Sequence, residues 1–466
     1  MLRASALIES HGIPTASIVA SGFAQQANVL KKGLGLSLQL GVYPGAPMVD
    51  SEEVLKKKVE EALAPALMHA LTGSSDEGET VENEPAPGTI VFTGTFDEIQ
   101  EHFLAKQWSD GLPIVPPTRE RVDRFLAFTD RDPDEVLRAV PPEGREVSIL
   151  SIAITGVWAG CRPEYTPVLI AAVEAMCDPR FRIEDAGSTL GWEPLVIVSG
   201  PIAETLGFNA GQSVMRVGRQ ANSSIGRFIR LFLRNICGYR IPPGAGDKGC
   251  MAMSFNVALA ENETFTHSLG WSTYGEDRGF KAGENAVTVM SVVAISPPTY
   301  SSGDRAETHL AHWADVFGAT CRYWCHTGFK RGMWHLLIVA SPSIAQVIAA
   351  ELSKDEVRRY LHTHMDVSAE RATHYARMTS TPTFDLGRLV REGILPAQYA
   401  ASDDPQRMVP MIIDPAMVDL LVAGDPGRNQ SRAYMNNHMQ GPPVSRRVML
   451  PVRWKELFAT AGDPAA

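Results

Sequence analysis

The stretch Ala286-Val-Thr-Val-Met-Ser-Val-Val-Ala-Ile295 decides the fold class of this chain. Its apolar, valine-rich run has the length of a buried strand. After it, the pattern changes to helical spacing over 306–317, returns to a strand over 335–340 and becomes helical again over 344–352. Because strands alternate with helices in this way, the sequence predicts an α/β fold.

The same alternation extends outward from this stretch. Further strands are predicted over 147–155, 195–199, 417–423 and 448–452, and further helices over 167–176, 224–235 and 354–364. Residues 90–466 are therefore predicted to form a larger, mixed α/β layered body that binds the ligand and carries out any catalysis. A division of this body into 90–300 and 301–466 remains an open alternative.

Residues 1–72 are predicted to form a small, partial α/β domain. Helices are expected over 2–10, 23–32 and 51–69, and strands over Ala16–Ala20 and 36–42. No strand precedes the first helix, as though half of the domain were missing. We therefore expect this segment to pack on the body or on another subunit.

Residues 73–89 are predicted to be a flexible linker, because 73–88 contain five acidic residues and no basic one.

Composition restricts the class of protein. The chain has 466 residues, a formal charge of -10 and six cysteines, and no apolar run approaches the roughly 20 residues that a bilayer span requires. Scattered cysteines and the lack of a secretory leader pattern favour the cytoplasm. The acidic balance disfavours nucleic acid as a partner, so a small-molecule substrate is expected.

The segment 108–118 is the first of four candidate ligand-binding segments. Asp110-Gly111 predicts a turn, and three prolines fix the following residues in an extended course. Trp108 and Asp110 are candidate substrate-binding and proton-transferring residues, respectively. A rigid connector without a functional role is an equally good interpretation.

The second segment, Ala159-Gly-Cys-Arg-Pro-Glu-Tyr165, is predicted to connect a strand ending near Thr155 to a helix beginning near Pro167. At such a turn, the positive helix end would lower the pKa of Cys161 below about 8.5. Cys161 is therefore the candidate nucleophile, Glu164 a candidate proton carrier and Arg162 an anion-binding residue. The alternatives are an inert, packed thiol and a structural Arg162–Glu164 pair.

The third and fourth segments supply further candidate anion-binding residues. In the third, Asn222 or Ser223 is predicted to cap a helix N-terminus near Arg219 and Arg227. An ordinary capped helix explains this pattern equally well. In the fourth, a glycine-rich turn follows a strand end, where α/β sheets bind ligands, and its polar groups are Arg428, Asn429 and Ser431.

A metal site is the weakest alternative. His309 and His312 have i, i+3 spacing and Cys321 follows them, but this spacing matches no standard zinc signature. The sequence does not identify a cofactor, and a chemistry without one is among the alternatives.

Two regions resemble a known family. Residues 8–53, with His11-Gly-Ile-Pro-Thr-Ala-Ser-Ile-Val19, resemble the second half of the bacterial domain named for its UGSC motif, where U is selenocysteine or cysteine. That domain is similar to the selenocysteine-bearing subunits of glycine, sarcosine and betaine reductases. The region from Trp108 to the end resembles the same group through 110–113, 159–165, 222–227 and 424–429.

The U/C-G-S-C motif itself would precede Leu2 and is absent from this chain. Either an upstream segment or a partner subunit supplies that thiol, or the chain uses Cys161, or its chemistry involves no thiol. The resemblance therefore implies an oxidoreductase or lyase, without assigning one reaction.

Together these features predict an enzyme, or an enzyme subunit in a homo- or hetero-oligomer, acting on a small carboxylate- or carbonyl-bearing substrate. It would cleave or reduce that substrate with thiol or acid/base assistance. The alternatives are a non-catalytic binding or scaffold subunit and a metal-assisted hydratase or hydrolase.

Overall fold

The computed structural model describes residues 2–25, 27–28, 31, 38–72, 88–140, 144–185, 191–239, 257–379, 381–436 and 440–461. Helices account for 47% and strands for 17% of the structure, which confirms the predicted α/β class. Most of the predicted linker, 73–87, lies outside the described residues.

The helices are α1 (Leu2–Glu9), α2 (Glu52–Lys58), α3 (Ala64–Thr72), α4 (Phe96–Ala105), α5 (Arg119–Leu126), α6 (Ile149–Ala159), α7 (Thr166–Cys177), α8 (Pro201–Thr205), α9 (Gln220–Asn235), α10 (Glu263–Ser268), α11 (Tyr274–Asp277), α12 (Ala306–Arg322), α13 (Cys325–Phe329), α14 (Pro342–Ala349), α15 (Lys354–His364), α16 (Ala369–Met378), α17 (Leu386–Arg391) and α18 (Trp454–Ala461). The strands are β1 (Ala16–Ala20), β2 (Gln39–Tyr43), β3 (Val136–Val140), β4 (Arg145–Ser148), β5 (Glu193–Ser199), β6 (Leu259–Ala260), β7 (Ala286–Ile295), β8 (Thr299–Tyr300), β9 (Leu336–Ala340), β10 (Asp366–Ser368), β11 (Met408–Pro410), β12 (Val418–Val422), β13 (Gln430–Asn436) and β14 (Val444–Arg447).

The chain forms two compact units. Unit 1 consists of Met1–Ile114, Asp134–Ser151 and Leu231–Lys248, and unit 2 consists of Val115–Pro133, Ile152–Arg230 and Gly249–Ala466.

A two-stranded parallel sheet lies in the N-terminal part of unit 1. β1 pairs with β2 from Ala16 opposite Gln39 to Ala20 opposite Tyr43. The side chain of Leu67 on α3 packs so closely over Gly41 that a β-carbon there would come within 2.5 Å of it. Leu2, Ala6 and Leu38 form a small core together with Val19 and Leu40, so that helices contact both faces of the pair.

The large sheet belongs to unit 2. Its strand order is β12-β9-β13-β7-β5-β6, with β14 paired to β7 and β8 paired to β13. β12 runs parallel to β9, and β5 runs parallel to β6, whereas the pairs joining β9, β13, β7 and β5 are antiparallel. The predicted strand Ala286–Ile295 is confirmed at both ends and lies near the centre of this sheet.

This sheet curves until its two outer strands approach each other. The N–H of Asn262, which follows β6, donates to the carbonyl of Val422 at 2.8 Å. The side chains on the concave face therefore form one apolar core. It comprises Leu195, Ile197, Leu259, Met290, Val292, Leu337, Val339, Leu421, Ala423 and Tyr434, plus Val214 and Tyr274 from loop and helix.

Two cationic side chains donate hydrogen bonds to backbone carbonyls along the outer edge of β12. Arg358 Nε donates to the carbonyl of Val418 at 3.1 Å, and Lys354 Nζ donates to that of Leu420 at 3.3 Å. The carboxylate of Asp277 accepts hydrogen bonds from both side chains, at 2.9 and 2.8 Å. These contacts satisfy edge carbonyls that would otherwise offer a template for aggregation.

The predicted strand over 147–155 is wrong, because β4 ends at Ser148 and α6 then runs from Ile149 to Ala159. A short apolar run rich in β-branched residues fits a buried helix as well as a buried strand. The helix begins at a reciprocal serine pair, in which Ser151 N donates to Ser148 Oγ at 3.2 Å and Ser148 N donates to Ser151 Oγ at 3.0 Å.

The strand predicted over 448–452 is also misplaced. The strand is β14, Val444–Arg447, paired with β7. The sequence did not predict β13, although it pairs with both β9 and β7, because Gln430, Arg432 and Asn436 give it a polar appearance. Burial of Asn436 is possible because its Nδ2 donates to Ser291 Oγ at 3.0 Å.

Candidate functional site

Cys161 follows a helix C-terminus. Gly160 has a φ of +77°, its N–H donates to the carbonyl of Val157, and the N–H of Cys161 donates to that of Gly156, both at 3.0 Å. This is the glycine-terminated Schellman arrangement that ends many helices. The strand predicted before this turn is therefore wrong, whereas the helix predicted after it is confirmed as α7. Cys161 lies at the negative end of α6.

The second and third predicted segments meet around this thiol. Ser224 of α9 hydrogen-bonds with the Cys161 side chain, and the Arg227 guanidinium lies near enough to act on it electrostatically. Gln220 Nε2 donates to the carbonyl of Gly160 at 3.3 Å, which joins the start of α9 to the end of α6. About sixty residues of chain separate the two segments, yet they share this location.

The surroundings of this thiol include three residues that follow it closely in the sequence, namely Arg162, Glu164 and Tyr165. Arg162 Nε is hydrogen-bonded to the carboxylate of Glu164, which is 1% exposed. Tyr165 is fully buried, and its hydroxyl has no hydrogen-bond partner within the described parts of the chain. We call Cys161, Arg162, Glu164, Tyr165, Ser224 and Arg227 the Cys161 cluster.

Burial controls the electrostatics of this cluster. It raises the pKa of Cys161 to about 12, and the Ser224 hydrogen bond and Arg227 only partly oppose that rise. The predicted lowering of this pKa is therefore wrong, and the thiol is protonated at neutral pH. Burial, followed by the nearby Glu164 carboxylate, also raises the pKa of Tyr165.

The helix-capping prediction for the third segment is also wrong. α9 begins at Gln220, so Asn222 and Ser223 lie inside its first turn. Asn222 is buried, and its Nδ2 donates to the carbonyl of Ala258 at 2.8 Å while its Oδ1 accepts from the N–H of Asn209 at 2.8 Å. These bonds make it a structural residue that holds three segments together. Arg219 is exposed immediately before the helix.

The fourth segment connects β12 to β13. The N–H of Gly424 donates to the carbonyl of Ala210, in the loop that Asn222 also holds. Arg428 is exposed and lies 4.0 Å from Asp425, and the carbonyl of Asn429 accepts from the N–H of Ser301. Ser431 is buried within β13. The described contacts of these polar groups are thus local to the turn and its neighbouring strands.

The first segment divides between the two units. In unit 1, Trp108 packs edge-on against Phe103 at 5.4 Å, and its carbonyl accepts from Asn235 Nδ2 at 2.8 Å. Asp110 lies in the turn that Ser109 stabilises by accepting the N–H of Gly111. In unit 2, the N–H of Val115 donates to the carbonyl of Trp158, three residues before Cys161.

The metal alternative gains no support from the structure. His309 is buried, with Nδ1 bonded to Ser301 Oγ at 2.7 Å and Nε2 to the carbonyl of Gly303 at 3.1 Å. Cys321 lies twelve residues further along α12, which places it about 18 Å away along the helix axis. Within the described residues, no group of three His, Cys, Asp or Glu side chains could hold a metal ion.

A cleft of about 350 Å³ opens elsewhere in unit 2. Asp130, Arg131, Ile170, Glu174, Arg447 and Leu450 are among its lining residues, whereas none of the predicted site residues lines it. Its charged groups are already engaged, since Arg131 pairs with Glu174 and Arg447 pairs with Glu284.

Ser224 and Tyr165 lie within the candidate segments 222–227 and 159–165, but neither was singled out as a site residue. No signal in the sequence marked them individually, because Ser224 meets Cys161 only in the folded chain.

In comparisons with known proteins, no family description, curated protein or solved structure matches this chain. No helix in the described part of the chain is long and apolar enough to cross a membrane.

Proposed function

We propose that this protein is an enzyme, or a subunit of one, that acts on a small carboxylate- or carbonyl-bearing substrate at the Cys161 cluster. The observation that carries the proposal is the buried, protonated Cys161 thiol beside Ser224 and Arg227. An arginine beside a buried thiol can hold an anionic substrate next to it.

The chemistry that fits this arrangement is proton transfer. A thiol with a pKa of about 12 keeps its proton at neutral pH and can give it to a strongly basic oxygen or carbon atom that develops in the transition state. The resulting thiolate would be stabilised by the positive charge of the Arg227 guanidinium. The Tyr165 hydroxyl offers a second neutral donor whose hydrogen has no other acceptor among the described residues.

The Arg162–Glu164 pair would respond to an anionic substrate. Arg162 Nε donates a hydrogen bond to the Glu164 carboxylate, and Arg162 Nη2 donates to the carbonyl of Ala461 at 2.9 Å. A substrate carboxylate binding to Arg162 would compete with the Glu164 carboxylate for the same guanidinium.

Calorimetric titration with small carboxylates tests this proposal. The probes are acetate, pyruvate and glycine, added to the full chain and to Arg227→Gln. We expect at least one probe to bind and its affinity to fall at least about tenfold in Arg227→Gln, which loses a charge-assisted hydrogen bond. The matched control, Arg391→Gln, removes an exposed arginine of α17 and should leave binding unchanged. Equal binding to all three proteins, or no binding to the unaltered protein, overturns the proposal.

The second candidate is a non-catalytic binding subunit, and one observation favours it. Most of the large apolar side chains that the described residues leave exposed fall in unit 1, among them Val49 at 83%, Ile90 at 76% and Met48 at 75%. Such surfaces usually contact a partner. Co-purification with a second protein, together with no carboxylate binding, would favour this function.

We also propose that the protein acts in the cytoplasm. The support is that its described cysteines are all free thiols, as is usual in a reducing compartment: Cys161, Cys177, Cys237, Cys321 and Cys325.

A further inference from the structure

Within the residues described for unit 1, the small sheet has open edges. In the described residues, β1 and β2 form a sheet with no third strand. The residues of β1, Ala-Ser-Ile-Val-Ala, include no charge and no proline, which are the usual devices that protect an edge strand. Ile18 in its centre is 41% exposed.

The same unit contains an apolar segment that belongs to no element. Residues 89–93, Thr-Ile-Val-Phe-Thr, have the β-branched and aromatic composition of a strand, but they form neither helix nor strand. Every residue from 88 to 98 is exposed, including Ile90 at 76%, Val91 at 47% and Phe92 at 37%. Three consecutive apolar residues at a surface are unusual for a polypeptide that functions without a partner.

We propose that residues 89–93 of one copy add a strand to the outer edge of β1 in a second copy of this chain. β1 is the better acceptor because β2 contains Gly41, and because Tyr43 at its end is tied to Asp50 by a 2.6 Å hydrogen bond. Strand addition would supply the main-chain hydrogen bonds that both segments lack in the described structure.

A second copy is the fitting partner because each chain carries one donor segment and one acceptor edge. Reciprocal exchange of the two segments satisfies both edges at once and closes a symmetric dimer. A different protein would cover one feature and leave the other exposed. The low charge of both segments also removes the like-charge repulsion that would oppose pairing between identical chains.

The test compares Val91→Pro with Val91→Thr by light scattering coupled to size exclusion. Proline removes the N–H that a new strand needs, whereas threonine keeps both the N–H and the β-branched shape. We expect a dimer for the unaltered protein and for Val91→Thr. In Val91→Pro, the dimer should dissociate with a constant raised about a hundredfold, because a symmetric dimer loses the contact twice.

A monomeric unaltered protein overturns the proposal, and so does a dimer that Val91→Pro leaves intact. A second measurement requires no variant. Hydrogen exchange of the unaltered protein should show protection of residues 89–93 and 16–20 that rises together with protein concentration. Protection that does not depend on concentration would indicate pairing within one chain and would also overturn the proposal.

Discussion

At the scale of single residues, Cys161 shows how one glycine changes a chemical interpretation. The sequence alone shows which residue types lie next to the thiol, among them Arg162 and Glu164. Its pKa was not, because the rise is caused by burial, which depends on contacts with residues of α9 that are distant in sequence. Gly160, with φ of +77°, ends α6 and so places the thiol at the negative helix end in a buried position.

We predict that Gly160→Ala destabilises the protein by about 1–2 kcal/mol, the cost of a left-handed conformation for a residue with a β-carbon. The cost is conformational alone, because the nearest atom to the new methyl group is Val115 Cγ2 at 3.8 Å. The control is Gly318→Ala in the middle of α12, where the new β-carbon makes only ordinary contacts at 3.8 and 3.9 Å. It should stabilise by about 0.5–1 kcal/mol. Urea unfolding of both variants checks the prediction, and equal effects would contradict it.

At the scale of secondary structure elements, length and periodicity decided what could be predicted. The strand Ala286–Ile295 and the helix Lys354–His364 were predicted at their exact bounds, because one is a long apolar run and the other has a clear serine cap. α6 was mistaken for a strand because its apolar run has no helical periodicity. β13 was missed because its burial depends on partners that are distant in sequence.

The edge of β12 also could not be foreseen, since its contacts join residues sixty or more positions apart. Asp277 accepts hydrogen bonds from Lys354 and Arg358, and Lys354 is only 4% exposed. We predict that Asp277→Asn costs about 3 kcal/mol, because it removes the carboxylate that is hydrogen-bonded to the buried Lys354 ammonium. Lys354→Met should cost less, because it removes the buried charge and Asp277 still has Arg358. Denaturant unfolding should rank the two variants in this order, and the reverse order would contradict the role given to the pair.

At the scale of the whole molecule, the sequence predicted an α/β protein and the structure confirms it. The closure of the large sheet was beyond sequence analysis, because it depends on the contact between Asn262 and Val422. Of the four predicted segments, the structure brings 159–165 and 220–227 together, and Val115 adjoins the first of them. The polar groups of Arg428, Asn429 and Ser431 make their described contacts elsewhere.

Two histidines, the buried His326 and the partly buried His335, should make the molecule sensitive to acid. Burial lowers the pKa of His326 to about 4 and that of His335 to about 3, well below the usual value near 6.5. Their contribution to stability is therefore complete above pH 6.5 and is lost as the pH falls towards 4, because the unfolded chain binds the protons first. Each histidine should contribute a slope of up to about 1.4 kcal/mol per pH unit there.

Unfolding measured from pH 7 to 4 checks this expectation. His326→Gln should flatten the pH dependence while lowering stability at pH 7, since it alters the hydrogen bond to Thr379. A variant with the same pH dependence as the unaltered protein would exclude His326 as a contributor.

The central claim is that the Cys161 cluster recognises a carboxylate beside a protonated thiol. Competing alkylation by iodoacetate and iodoacetamide tests it most directly, because the two reagents differ mainly in the charge of the group beside the reacting carbon. Mass spectrometry of the intact fold would give the labelling ratio at Cys161 and at Cys177, the buried control. We predict an iodoacetate preference at Cys161 at least about tenfold above that at Cys177, as one charge-assisted hydrogen bond would produce, and its loss in Arg227→Gln. The same ratio at both cysteines, or a preference that survives Arg227→Gln, would contradict the claim.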